Sequence, residues 1–211
     1  MSEADTLARM ERMYRPQIGF YDLTRKPYLL GRDHLIATMP LATGDLVCEV
    51  GCGTGRNLAC LARRDPSLRL FGLDASAAML ERAKLRTKAQ LARGLAEQLD
   101  PAVHFGIAAR FDRIVFSYSL SMIPDWRGAL ARALASLRPG GTIAIVDFGD
   151  QKGWTAPFKL LLRAWLRLFG VVPVDGLVTH LRSLDSTGAG RVELSAVACG
   201  YAQLALFHKK D

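Results

Sequence analysis

Three glycines and two carboxylates have the types and spacing needed to bind a nucleotide-like ligand. Gly51, Gly53 and Gly55 alternate along a short segment, and Glu49 precedes the first of them by two residues. Alternating glycines let the backbone turn tightly and approach a ligand closely, because no β-carbon intervenes. Asp74 lies 19 residues after Gly55, where a carboxylate can accept hydrogen bonds from both hydroxyls of an adenosine ribose. A tight turn beside a solvated acidic residue is the alternative interpretation without a ligand.

The glycine spacing also discriminates among nucleotide ligands. A dinucleotide fingerprint reads GxGxxG, whereas this chain reads GxGxG and has Arg56 at the position of the third dinucleotide glycine. The Gly-Lys-Ser/Thr sequence of a phosphate-binding P-loop is also missing. A carboxylate at Glu49 would repel a pyrophosphate but would favour an ammonium or a sulfonium. These features favour S-adenosylmethionine (SAM), which has no phosphate.

An alternation of strands and helices must position these residues. Strands are predicted at 46–50, 68–73, 90–92, 111–117 and 142–147, with helices following most of them. The runs 192–198 and 201–207 are separated by Cys199-Gly200, which favours an antiparallel hairpin. The fold class predicted is therefore α/β: a doubly wound, Rossmann-like seven-stranded sheet, mostly parallel, with a C-terminal antiparallel hairpin.

Composition narrows the classes of protein further. The chain has 211 residues, half of them hydrophobic, and a net charge of +8, which excludes a disordered chain and favours one main domain. No uncharged apolar stretch is long enough to span a membrane, and the first 20 residues lack an apolar signal core, so we expect a cytoplasmic protein. The four cysteines lack paired zinc-ligand spacing, so no metal site is predicted. The positive charge leaves nucleic acid, a membrane or a small acidic ligand as partner.

The motifs together resemble the class I SAM-dependent methyltransferases over about residues 45–150. The matching segments are Glu49 to Gly55, Gly72-Leu73-Asp74, Phe111-Asp112 and Leu137 to Gly141. This resemblance implies SAM as cofactor. The cofactor-binding residues that it implies are Glu49, Gly51, Cys52, Gly53, Asp74, Ala75, Met79, Leu95, Ala96 and Ser117.

The resemblance also implies roles for some of these residues. The glycines pass beneath the methionine part of SAM, Asp74 holds the ribose, and Ala75 and Met79 flank the adenine. Leu95 stands where the family often has an aspartate. A leucine cannot accept a hydrogen bond from the adenine amino group, and Glu97 is a candidate substitute.

Two further segments, 20–33 and 117–126, resemble bacterial betaine-lipid N-methyltransferases, which trimethylate the homoserine amine of diacylglyceryl-homoserine. The resemblance implies an N-terminal helical lid over residues 1–44, followed by the SAM-binding domain over 45–211. Tyr21 would belong to the lid over SAM, and Arg25, Lys26 or Arg32 would lie near the substrate carboxylate.

Tyr21 and Tyr118 are the candidate catalytic residues. Tyr118, also a candidate for substrate binding, could orient an amine or contact a developing ammonium through cation–π attraction; packing against the pocket wall is the alternative. The predicted function is N-methylation of a lipid head group. Phosphatidylethanolamine or another small molecule is the alternative acceptor, and a non-catalytic RNA-binding module is a third possibility.

An amphipathic insert at 152–170 supports a lipid partner independently. Lys159, Arg163 and Arg167 recur every four residues, and no acidic residue occurs from 152 to 169. Apolar residues form the other face: Phe158, Leu161, Leu162, Trp165, Leu168 and Phe169. Such a helix suits the plane of an anionic membrane. We therefore expect peripheral association with the inner membrane, no nucleic-acid partner, and an oligomeric state that the sequence leaves open. A helix that covers the active site with a solvated basic edge is the alternative.

Overall fold

The computed structural model describes residues 29–168 and 170–211. Seven strands are found: β1 (Leu46–Val50), β2 (Arg69–Asp74), β3 (Gln90–Arg93), β4 (Phe111–Ser117), β5 (Leu137–Phe148), β6 (Gly190–Val197) and β7 (Ala202–Lys209). They form one sheet in the order β3-β2-β1-β4-β5-β7-β6. The first five strands run parallel, and β7 pairs antiparallel with both β5 and β6. The predicted fold class, with its terminal hairpin, is therefore confirmed.

Seven α-helices accompany these strands within the described residues. They are α1 (Arg32–Thr38), α2 (Arg56–Arg64), α3 (Ala77–Lys84), α4 (Pro101–Phe105), α5 (Trp126–Ser136), α6 (Ala156–Leu168) and α7 (Leu177–Ser186), with short 3₁₀ turns at Ala96–Gln98 and Leu120–Met122. Most of the predicted helical lid at 1–44 lies outside the described residues. None of the described helices has the length and apolar character needed to cross a bilayer.

The order of the strands creates the ligand-binding crevice. From β1 the chain proceeds through β2 and β3 on one side, and then returns to place β4 on the other side of β1. In open α/β sheets, ligands bind at such a reversal, beyond the carboxyl ends of the strands. The loops after β1 and β4 therefore face each other at this point.

Two apolar layers hold the sheet in place. One face packs against α4, α5 and α7 through buried residues such as Phe105, Leu130 and Leu181. The other face packs against α1 and α6, which contribute Leu35, Ile36 and Leu166. The central strands β1 and β4, and β5 from Gly141 onward, are mostly buried on both faces, which is typical of a doubly wound parallel sheet.

Several predicted bounds are corrected by the structure. β5 begins at Leu137, since the Pro139-Gly140-Gly141 segment lies within an extended strand that is irregularly paired with β4. α6 begins at Ala156, because residues 152–154 form a turn whose Gly153 N–H donates to Cys199 O at 3.1 Å. Two helices were not predicted from the sequence: α4, which has only five residues, and α7, which follows a left-handed Gly176.

Candidate functional site

A cavity of about 1020 Å³, counted with its opening to solvent, lies at the carboxyl ends of β1, β2 and β4. Every predicted cofactor or substrate residue within the described part of the chain lines it: Arg32, Glu49, Gly51, Cys52, Gly53, Asp74, Ala75, Met79, Leu95, Ala96, Ser117 and Tyr118. Tyr21, Arg25 and Lys26 lie outside the described residues. Residues far apart in sequence thus meet at one site.

The glycine loop adopts backbone conformations that side chains disfavour. Gly51 and Gly53 have φ angles of 74° and 53°, in the left-handed region. A β-carbon on Gly51 would come within 2.5 Å of the Ser119 β-carbon in the loop after β4. Glycine at 51 is therefore required for two reasons: its dihedral angle, and the close approach of the two loops that form the crevice.

Asp74 links the glycine loop to the end of β2. Its Oδ2 accepts a hydrogen bond from Gly53 N at 2.7 Å, and its Oδ1 accepts one from Ser76 N at 2.9 Å. A carboxylate oxygen can accept more than one hydrogen bond, so these contacts are compatible with binding of a ribose hydroxyl. The geometry therefore gives Asp74 a role in shaping the loop that the sequence did not reveal.

Glu49 is a buried carboxyl group in the floor of the cavity. It is 2% exposed, and its Oε1 accepts a hydrogen bond from Asn57 Nδ2 at 2.7 Å. Its Oε2 is buried and has no hydrogen-bond partner among the residues that the structure describes. Burial raises the pKa of Glu49 to about 8, although the Asn57 hydrogen bond opposes this rise. A ligand that brings a cation to Oε2 would stabilise the ionised form.

The wall contributed by β2 and β3 is mostly apolar. Met79 is 1% exposed and Leu95 is 8% exposed, and both line the cavity together with Ala75 and Ala96. This composition suits the faces of an adenine ring. Glu97 lies beside Leu95 on the same wall, so it stays a candidate for the polar edge of the ring.

Tyr118 connects the loop after β4 to the segment that precedes α1. Its φ angle of 54° lies in the left-handed region, which is uncommon for a residue with a bulky side chain. Its hydroxyl donates a hydrogen bond to Leu30 O at 2.5 Å, and its ring packs edge-on against Phe148 with centroids 4.8 Å apart. Burial raises the pKa of Tyr118 above its ordinary value. These contacts describe a positioning residue whose hydroxyl proton is engaged by the backbone, and they give no support to a role in proton transfer.

Two arginines bring positive charge to the cavity. Arg32 begins α1 and Arg56 begins α2, and both line the cavity. Arg56 donates two hydrogen bonds to the carboxylate of Asp33, at 2.7 and 3.1 Å, and this contact lowers the pKa of Asp33. The positive charge of Arg32 favours the ionised forms of Glu49 and Tyr118. Arg32 therefore lies near both the cofactor floor and the β4 loop.

Another buried carboxyl group supports the β4 loop from behind. Asp147 is fully buried at the end of β5, and its oxygens accept hydrogen bonds from Ser121 N and Phe148 N at 3.0 and 2.8 Å. Burial raises the pKa of Asp147 to about 6. The carboxyl group fixes the 3₁₀ turn at Leu120–Met122, from which Met122 reaches the cavity.

Other cavity residues were not predicted as site residues. They are Leu29, Val50, Thr54, Arg56, Asn57, Leu73, Gly94, Ser119, Met122, Ile123 and Pro124. Asn57 and Arg56 could have been found from the sequence, because the first turn of the helix after a glycine loop faces the ligand. The roles of Ser119 and Met122 depend on how the β4 loop folds back, which no local pattern specifies.

The site fits SAM on its own geometry. The unpartnered Glu49 Oε2 suits the ammonium of the methionine part, the left-handed glycines allow close backbone approach, and Asp74 lies at the ribose position. Among residues 29–168 and 170–211, no group of three His, Cys, Asp or Glu side chains could hold a metal ion.

Comparisons with known proteins agree with this geometry. The methyltransferase domain family matches residues 47–141. A trans-aconitate 2-methyltransferase of Deinococcus radiodurans is 39% identical over 166 residues, covering 74% of this chain and 61% of the relative. The Escherichia coli K12 enzyme of that name is 28% identical over 160 residues, covering 73% of this chain and 60% of the relative. The chain thus spans about three fifths of the length of these relatives.

Solved structures share the fold at low sequence identity. A chain from the Haloferax volcanii complex that contains the Trm112 methyltransferase activator superposes with a TM-score of 0.75 at 16% identity, over 95% of this chain and 97% of that one. A SAM-dependent methyltransferase from Thermotoga maritima gives a TM-score of 0.69 at 16% identity, over 95% of this chain and all of that one. Residues 47–141 therefore form a methyltransferase domain, and a domain of this kind implies SAM as its cofactor.

Proposed function

We propose that the protein transfers the methyl group of SAM to a small acceptor that carries a carboxylate. The observation that carries this proposal is Arg32, which lines the cavity and has a guanidinium group suited to carboxylate binding, with Arg56, paired to Asp33, adding positive charge to the same lining. The names of the relatives give further support, because trans-aconitate is a tricarboxylic acid.

The chain's own groups would contribute binding and alignment. The cofactor supplies an electrophilic methyl on a sulfonium, and an acceptor lone pair forms the new bond to carbon as the carbon–sulfur bond breaks. Glu49 and Asp74 would hold the cofactor, and Arg32 would orient the acceptor carboxylate. Tyr118, fixed by Leu30, would maintain the wall on the acceptor side. Such catalysis depends on proximity and orientation and needs no proton transfer by a strong base.

The test is a methyl-transfer assay with radiolabelled SAM and a panel of acids that includes trans-aconitate. A carboxylate acceptor gives a methyl ester, whose label becomes volatile methanol after mild alkali. We expect base-labile label with one or more acids, and a loss of at least ~10-fold in kcat/KM in Arg32→Gln, with Arg182→Gln outside the cavity as control. If none of the acids in the panel becomes labelled, the proposal is contradicted.

A lipid head group is the second candidate acceptor. The observation that favours it is the set of exposed apolar residues on α6, close to the loop that lines the cavity. Diacylglyceryl-homoserine carries both an amine and a carboxylate, so the same arginines could bind it. Phosphatidylethanolamine carries a phosphate and no carboxylate.

The same assay distinguishes the two candidates when total lipid extract replaces the acids. An N-methylated head group retains its label after alkali, in contrast to a methyl ester. Alkali-stable label in the lipid fraction, together with none in the acids, would favour the lipid acceptor. If lipid extracted from membranes that contain the precursor acquires no label in this assay, the lipid acceptor is contradicted.

A further inference from the structure

The exposed hydrophobic residues of the described chain are concentrated in one region. Eight large hydrophobic side chains are exposed, and five of them form what we call the apolar patch: Phe158, Leu160, Leu161, Leu168 and Val172. Four belong to α6, and Val172 follows it. Single exposed leucines are common on soluble proteins, whereas a contiguous group marks an interaction surface.

α6 also exposes much of its apolar surface to solvent. Leu166 is buried against the sheet, and Lys159 and Arg163 lie on the half-buried side, where Arg163 pairs with Asp175 at 2.7 Å. Leu161 and Leu168 point outward and are 67% and 80% exposed. The alternative arrangement, a covering helix with a solvated basic edge over a buried apolar face, therefore does not describe most of α6. The apolar residues that would ordinarily pack inside are on the surface.

The charge around the patch identifies the kind of surface that it fits. Arg167 is exposed beside Leu168, and Lys152, two residues after Asp150 and paired with it, is exposed just before α6. No acidic residue occurs in α6 itself. An exposed apolar face flanked by cations suits the interface of a bilayer that contains anionic lipids, where apolar side chains enter the acyl boundary and cations contact head groups.

The patch is continuous with the loop that lines the cavity. Val172 N donates a hydrogen bond to Ser121 O at 3.0 Å, and Ser121 precedes Met122 and Ile123, which line the cavity. A surface that held Val172 would therefore contact the segment next to the acceptor side of the site.

We propose that the apolar patch inserts into the surface of an anionic bilayer and holds the enzyme there peripherally. This docking does not depend on which acceptor is methylated, because it involves neither the cofactor floor nor the arginines of the cavity. It can therefore be measured without SAM or acceptor, and its failure would leave the proposed methylation of a small carboxylate untouched, while it would remove the support for the lipid acceptor.

The experiment is co-sedimentation of the full chain with vesicles of phosphatidylcholine alone or with added phosphatidylglycerol. The double variant Leu161→Ser/Leu168→Ser should lower the partition coefficient on anionic vesicles at least ~10-fold, because two leucines lose apolar burial. The matched control is Leu85→Ser/Val103→Ser, whose residues are 87% and 80% exposed but lie far from α6 in the sequence. Arg167→Gln should lower the partition coefficient ~5-fold on anionic vesicles and leave it unchanged on neutral ones.

Each result is decisive. Loss of binding in the α6 variant with retention in the control supports the proposal, provided that circular dichroism shows an unchanged fold. Failure of the unmodified chain to bind anionic vesicles overturns it, as does equal loss in both double variants. Sedimentation velocity adds a further outcome: a dimer that the α6 variant abolishes, without vesicle binding, would assign the patch to a second copy of the chain and overturn the bilayer proposal.

Discussion

The residues around the cavity at the carboxyl ends of β1, β2 and β4, here called the cavity edge, differ from α6 in what they bury. The cavity edge buries polar groups, whereas α6 exposes apolar ones. At the cavity edge, the carboxyl groups of Glu49 and Asp74 are at most 9% exposed. On α6, Leu161 and Leu168 are more than half exposed. A buried carboxyl group and an exposed apolar surface are both costly unless something binds there. The comparison indicates that one region is shaped for a small polar ligand and the other for a larger apolar surface.

The largest effect should come from adding a side chain at Gly51, where the loops after β1 and β4 approach each other closely. Gly51→Ala places a β-carbon against Ser119 in a left-handed conformation. We expect ~3 kcal/mol lower stability from strain and clash together, and a SAM affinity reduced beyond ~100-fold in calorimetry. Gly44→Ala is the control, because Gly44 has a similar φ of 79° but open space around it. A SAM affinity equally low in both variants would contradict the role of the contact.

The next effect tests the orientation of α6 within a single helix. Leu166→Ala removes a side chain that is 1% exposed and should lower the free energy of unfolding by ~3 kcal/mol. Leu161→Ala, on the outer face, should change it by less than ~0.5 kcal/mol. Urea unfolding measures both. If the two variants lost equal unfolding free energy, or if Leu161→Ala lost more, the described orientation of the helix would be contradicted.

A smaller effect separates structural from ligand-binding roles at the cavity edge. Asp74→Ala should weaken SAM binding ~30-fold, since it removes a charged acceptor near the ribose position. Asp112→Ala is the matched control, because Asp112 also accepts a backbone hydrogen bond, from Leu46 N at 2.8 Å, but lies outside the cavity. Both variants should lose stability, and only Asp74→Ala should lose SAM affinity. Unchanged affinity in Asp74→Ala would assign the ribose to another group.

The smallest effect is a pH dependence. Because the pKa of Glu49 is raised to about 8, the carboxyl group is mostly protonated at pH 6, and a bound cation would favour its ionisation. SAM affinity should therefore rise between pH 6 and pH 8, by a total of ~10-fold for a binding-linked fall of about one unit in the pKa of Glu49. Glu49→Gln should abolish this slope. A slope that persists in the variant would indicate another titrating group.

The same group gives a stability test with the opposite sign. In the unliganded protein the folded state binds more protons than the unfolded chain between pH 4.5 and about 8. The contribution of Glu49 to the free energy of unfolding therefore falls as pH rises through this window. Glu49→Gln should flatten that part of the profile, measured by urea unfolding at each pH.

The residues at the cavity edge were largely predictable, because the patterns that identify them are local in the sequence. The glycine spacing, Glu49 and Asp74 lie in or next to strands that the sequence pattern reveals, and parallel strands bring their carboxyl ends to one edge. The contact between Tyr118 and Leu30 joins residues 88 apart. It depends on the left-handed turn at Tyr118, which no residue pattern indicates.

α6 was predictable only in part. A period of 3.6 residues identifies which side chains share a face of a helix, and this located the amphipathic segment. The period does not specify which face of the helix packs against the sheet. Leu166 and Arg163 lie inward because Val171, Trp154 and Asp175 surround that side of the helix, and those contacts arise from the turns on either side of it.

The position of β7 has a consequence for the chain while it is being translated. β6 emerges from the ribosome before β7, yet in the finished sheet β6 pairs with β7 alone, and β7 also covers the outer edge of β5. Until residues 202–209 have been synthesised, the apolar edge of β5 at Ile143 and Ile145 has no partner on that side. Unpaired strand edges recruit other chains. A nascent chain that stalls before residue 202 should therefore aggregate or require a chaperone, even though every residue of the cavity has already been made.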